Sequence, residues 1–178
     1  EGNNDGFSPI GGYKDQINFT GIYDGQGFFI SSLFINRGSS EISGGYYNYS
    51  ALFGRVSNAT IKNIGLINIE VIGQNHTGGL IGLAEGGNSI TNCFTTGKVS
   101  SPMDSNVGGL IGFAEGSNVI SFCYSLCDVY GVNNNVGSLV GENQSEISNC
   151  YSMGVVSGSA WDVGGLVGVN NNNGTISN

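Results

Sequence analysis

The stretch "GGLIGLAEGGNSITNCFTTGKV", residues 78–99, decides the fold, because the chain runs through nearly the same phrase again at residues 108–129, "GGLIGFAEGSNVISFCYSLCDV". Aligning on the Leu of this phrase places Leu52, Leu80, Leu110, Leu139 and Leu166 in "ALFG", "GLIG", "GLIG", "SLVG" and "GLVG". The period is 27 to 30 residues. A second anchor follows each Leu, at Ile61, Ile90, Ile120, Ile147 and Ile176, and a third series runs through Val71, Val99, Val129 and Val156. Three anchors in fixed order at this period mean a stacked array, in which each unit buries its apolar edge only against its neighbours.

The apolar segments are short, rich in Val, Ile and aromatics, and bounded by Gly, Asn and Ser. That is strand punctuation rather than a helical period. Three short strands joined by tight turns use up one repeat and return the chain above its start. The expectation is therefore an all-β, right-handed parallel β-helix, or β-solenoid, with handedness set by the rule for parallel crossovers. About six coils at roughly 4.8 Å each would make a rod about 29 Å long.

Within such a coil the Leu, Ile and Val anchors stack in internal columns. The flanking glycines, such as Gly108, Gly109 and Gly112, serve positive φ or close backbone approach. Asn63, Asn92, Asn149 and Asn178 recur two residues after the Ile anchors and are expected to form an amide ladder that Phe122 interrupts. "FTGIYDGQGFFISSLFI", residues 19–35, holds a turn signal between two strand-like runs, so residues 1–50 are taken as opening coils, with a loop from Asn36 to Ser50. Residues 51–178 continue the same solenoid, and "NNNNGTISN" stops in mid-repeat, which suggests a longer protein or copies stacked end to end.

Composition narrows the function. Of 178 residues, 32 are Gly and only 10% are charged, with a net charge of −8. The five basic residues, Lys14, Arg37, Arg55, Lys62 and Lys98, form no patch in the sequence, which argues against nucleic acid as a partner. No apolar run is long enough to span a membrane as a helix, so no membrane insertion is expected.

"VGGLIG" and "VGGLVG", followed by "ITNC" or "TISN", closely resemble the GLUG repeat of large bacterial and some eukaryotic surface proteins, including adhesin-like proteins. The segments "GFSPIGG" and "FTGIYDGQGFFI" are similar to the lead-in that often precedes such repeats. Departures occur at Ser138, Phe122 and Cys127, where the family favours Gly, Asn and Gly. The resemblance implies an extracellular or cell-surface scaffold and brings no catalytic residue with it.

The candidate chemistry is sparse. Asp24, Glu85, Glu115, Glu142 and Asp162 lie in turn contexts without a basic partner nearby in sequence, and the single His76 reads as a solvated loop residue that can complete no triad. No cofactor is expected, although Glu85, Glu115 and Glu142 hold similar places after the Leu anchor and could present a carboxylate column to calcium. Cys93, Cys123 and Cys150 share one column, either as buried small hydrophobes or joined by a Cys93–Cys123 or Cys123–Cys150 disulfide. Cys127, in a Gly position, is the residue most suspected of bridging. Asn18, Asn48, Asn58, Asn75, Asn143 and Asn173 head N-glycosylation sequons.

Phe94, Tyr124 and Tyr151 follow the column cysteines and are either core or an exposed strip, because a slip of one residue exchanges the two faces. Tyr46, Tyr47 and Tyr49 are further candidates for surface contact. Two functions follow: a non-enzymatic extracellular module, as rigid spacer or filament unit joined to flanking domains, or an adhesion module binding glycans or protein on an aromatic and Asn-lined face.

Overall fold

In the computed structural model, residues 5–12, 17–38, 49–103, 106–159, 161–171 and 173–178 are described. All regular structure among them is β, and every pairing between named strands is parallel. One turn of the solenoid runs Ile81–Glu85, Ser89–Thr91, Phe94–Ser101 and Val107–Gly108. Each of these strands bonds to its counterpart about 30 residues away, producing four sheets of five, six, seven and four strands. Four complete turns lie between Phe53 and Gly164, with partial turns before and after, rather than about six.

The turn also has one strand more than expected. The extra strand is the two-residue Val-Gly pair at Val107–Gly108, with equivalents at Thr77–Gly78, Val136–Gly137 and Val163–Gly164. Its second residue must be glycine. A Cβ on Gly78, Gly108, Gly137 or Gly164 would lie 1.8–2.1 Å from the carbonyl oxygen of Ile81, Ile111, Val140 or Val167, as the chain folds back sharply. In the sequence these dipeptides merge with the Leu phrase, so only three apolar runs are visible.

The anchors occupy the interior. Ile61, Ile90, Ile120 and Ile147 sit in register on one sheet, and Val71, Val99, Val129 and Val156 on another. The Leu anchors lie at the bend entering the first sheet, and their backbones bond along the column: Leu80 N–H to Leu110 O at 2.9 Å, Leu110 to Leu139 at 2.9 Å, Leu139 to Leu166 at 2.8 Å. Like side chains therefore meet one turn apart, and Leu80, Leu110 and Leu139 are fully buried.

The opening segment joins the same stack. Ile22–Asp24 pairs with Thr60–Lys62, while Phe29–Ser31 and Phe34–Asn36 pair with Gly65–Ile72, bringing Ile35 into the Val column. Most of the loop expected over residues 36–50 lies outside the described residues. Between Phe94–Ser101 and Gly65–Ile72 a register shift takes the pairing offset from 29 residues, with Thr95 facing Leu66, to 28, with Gly97 facing Ile69.

Ser138 takes the place of a repeat glycine without loss of register, and its hydroxyl is buried with no protein partner. Stack position should govern the cost of truncation. Leu110→Ala, mid-stack, is expected to destabilise the chain by about 2–5 kcal/mol in urea unfolding. Leu166→Ala, at a half-buried position, should cost less than half of that.

Candidate functional site

Alternation along the third sheet settles where the aromatic residues point. Cys93 and Cys123 are buried before the strand, Phe94 and Tyr124 open it on the outside, and Thr95 and Ser125 turn back inside, fully buried. Phe94 and Tyr124 stack at 4.9 Å and 4°, and Tyr124 and Tyr151 at 4.9 Å and 8°. These rings form an external ladder, with Tyr151 half exposed. Partial burial and the neighbouring Tyr151 push the Tyr124 phenol up.

Toward the start of the chain this column passes through Gly65 to Phe29. The Phe94 ring lies over Gly65, where a Cβ would sit 2.2 Å from its ring carbons. An open cleft of about 480 Å³, bordered by Gly65, separates Phe94 from Phe28 and is lined also by Asp24, Gln26, Asn63 and Asn92.

The polar wall of this cleft is the expected amide ladder. Asn63, Asn92 and Asn149 hold the same corner with φ of 55°, 53° and 52°, a left-handed conformation that Asn tolerates better than most residues. Asn92 Nδ2 donates to Asn63 Oδ1 at 3.2 Å, and Asn63 Nδ2 donates to Asp24 Oδ1 at 2.9 Å. Asp24 Oδ1 also accepts from the Gln26 backbone N–H at 2.9 Å, and Lys62 Nζ lies 3.4 Å from Oδ2. The hydrogen bond from Asn63, followed by that from Gln26, holds the Asp24 carboxyl below the usual range, so it is charged at neutral pH.

The ladder stops at Phe122, which keeps the corner φ at 53° and leaves its ring 58% exposed. A phenylalanine there carries the left-handed penalty and donates nothing to Asn92. Phe122→Asn is expected to stabilise the chain by about 1 kcal/mol, read as a higher urea midpoint.

Two further amide columns escaped the sequence reading. At one inner corner Asn118 Oδ1 accepts from the Asn88 backbone N–H at 3.1 Å and from Asn88 Nδ2 at 2.6 Å, and Asn118 Nδ2 donates to Ser145 Oγ at 2.8 Å. Asn88, Asn118 and Ser145 are almost wholly buried. Their signal was a polar residue two places before each Ile, in "NSI", "NVI" and "SEI". Elsewhere Asn135 Nδ2 donates to Asn106 Oδ1 at 2.7 Å, and Asn106 meets His76 Nδ1 at 3.1 Å. His76 is thus not a solvated loop residue: its ring stacks between Tyr49 and Phe113, 5.5 Å from each.

The carboxylates do not form the column considered for calcium. Strand register sets Glu85 opposite Glu115 but Glu142 opposite Phe113, and Arg55 pairs with Glu85 at 3.0 Å. Among the described residues no three His, Cys, Asp or Glu side chains gather as metal donors.

All four cysteines are free and buried. Cys93, Cys123 and Cys150 do stack, but instead of bonding along the column each Sγ points to the carbonyl of the Ile anchor one turn earlier, at 3.6, 3.6 and 3.7 Å. Contacts with the Cys150 and Cys93 thiols, and burial, push the Cys123 thiol up. Burial does the same for Cys127, which sits in register with Gly97, outside the column of the other three. At about pH 8 Ellman's reagent should leave the folded chain almost unmodified and titrate all four thiols after denaturation.

Of the sequon residues, Asn58 and Asn173 are exposed, and Asn18 and Asn75 are half-buried. Asn143 is fully buried, with Nδ2 donating to Asn170 Oδ1 at 2.7 Å and to Ser145 O at 2.9 Å, so the folded chain offers no acceptor there. Tyr49 lies against His76 with the Arg55 guanidinium 5.0 Å from its ring centre. Tyr46, Tyr47 and Asn48 lie outside the described residues.

Residues 73–100, one turn from the bend before Thr77 to the end of the third sheet, match the family model described as the GLUG motif. Halomucin of Haloquadratum walsbyi is 36% identical over 97 residues, which cover 53% of this chain and 1% of halomucin. The chain thus spans about one hundredth of the length of that curated relative. No solved structure matches it significantly.

Proposed function

We propose that the chain is a non-enzymatic, rigid β-solenoid segment of a larger cell-surface or extracellular protein, a spacer that holds flanking domains apart. The observation that carries this reading is the unbroken register of the anchor columns through four complete turns, which commits the interior to mutual stacking. Several side chains that could do acid–base or nucleophilic work are engaged structurally: His76 is stacked between rings, Glu85 is paired with Arg55, and the four thiols are buried.

The GLUG match and the likeness to part of halomucin support the surface setting. Tight packing supports rigidity, since each turn is held on both sides by backbone hydrogen bonds and apolar contact. Spacing domains requires no bound cofactor and no nucleic-acid contact.

Rigidity can be measured directly. With fluorophores on cysteines introduced at Ser57 and Ser157, in a background where the native thiols stay buried, single-molecule energy transfer should give one narrow distance distribution. A broad or interconverting distribution would overturn the spacer. For the setting, antibodies to the segment should label intact cells carrying the parent protein. Labelling only after permeabilisation would exclude a surface role.

A further inference from the structure

We propose that the cleft between Phe28 and Phe94 binds a neutral pyranose sugar, one ring of a glycan laid along the Asp24–Asn63–Asn92 ladder. The site is formed where the aromatic column loses a member. Phe29, Gly65, Phe94, Tyr124 and Tyr151 stand in one register, and only Gly65 has no side chain; the Phe94 ring lies over it, and a cleft of about 480 Å³ opens beside them, reaching Phe28. That volume falls within the range of small-molecule sites.

A pyranose presents an apolar C–H face and a rim of hydroxyls, each both donor and acceptor. The cleft offers the complement to both. Phe28, 72% exposed, supplies the flat apolar surface, and Phe94, which stacks on Tyr124 and lies over Gly65, also borders the cleft. Along the other wall Asp24, Asn63 and Asn92 alternate acceptors and amide donors.

The ladder leaves capacity for a ligand. A carboxylate offers about four lone-pair positions and an amide nitrogen two hydrogens. Asn63 Nδ2 spends one hydrogen on Asp24, and Asn92 Oδ1 meets no donor above it, because Phe122 stands on the next turn. Had that position been Asn, the terminal acceptor would be used within the ladder.

Charge points to a neutral ring. The Asp24 carboxylate is already met by Lys62, and the net charge of −8 repels acidic sugars. The polar wall is held by corner geometry and its own hydrogen bonds before any ligand arrives, so little ordering is required on binding.

The test uses the whole 178-residue chain labelled with ¹⁵N and titrated with methyl glycosides of glucose, galactose, mannose and N-acetylglucosamine, following the Asn63 and Asn92 side-chain amide signals. At least one glycoside should shift these signals saturably. Phe28→Ala, a change at an exposed side chain, should weaken that binding about tenfold. Tyr151→Ala, three strands from Gly65 along the same column, should leave it within about twofold.

Absence of saturable shifts for all four glycosides would overturn the assignment, as would equal affinity in Phe28→Ala. Binding of N-acetylneuraminic acid as tight as that of the neutral rings would overturn the choice of a neutral ligand. None of these results bears on rigidity, so failure here is distinguishable from failure of the spacer.

Discussion

Parallel strands of successive turns must lie in register, because the hydrogen-bonding groups of each turn are satisfied only by the turns next to it. The Leu column shows the constraint directly: the backbone N–H groups of Leu80, Leu110 and Leu139 each bond to the carbonyl of the Leu one turn on, so shifting one phrase would displace the whole row. Side-chain identity follows from this. A position facing its own equivalents above and below needs a shape that packs against itself, and Leu, Ile, Val and Cys all do so here. The low charge follows as well, since a column of like charges would repel itself at a spacing of about 4.8 Å.

Corners obey the same rule with polar groups. The chain must turn sharply within one or two residues, and several corners adopt positive φ, held by Asn63, Asn92, Asn106, Asn135 and Asn149. Once Asn occupies a corner in successive turns, its amide meets another amide with donor facing acceptor, and local backbone preference becomes a vertical hydrogen-bond chain. The inner Asn88–Asn118 pair goes further by supplying buried backbone groups of neighbouring turns, including Ala59 N–H and Ala84 O.

Much of this was legible because repetition converts a one-dimensional period into three-dimensional neighbours. The Ile and Val columns, the Asn63–Asn92 rung and its break at Phe122 all follow from alignment of the repeats. What remained hidden depended on features that alignment blurs. The Val107–Gly108 strand merges with the Leu phrase, so its separate sheet is invisible as an apolar run. Glu142 looked equivalent to Glu85 and Glu115, but its spacing from the Leu anchor is two residues shorter, which moves it to another row. His76 gave no hint of its stacking, because both neighbouring rings come from distant parts of the chain. Likewise the cleft is marked by a lone missing side chain, Gly65, and a glycine among 32 draws no notice.

A row that accepts its own residue type on either side does not record which copy it belongs to. Tandem duplication or loss of about thirty residues at the DNA level would then add or remove a floor while leaving the interfaces chemically unchanged, provided the cut falls at equivalent points. Genes for such proteins can change length by unequal recombination without inventing a new interior. The odd members, Phe122, Cys127 and Ser138, would travel with their copies as scars of individual history.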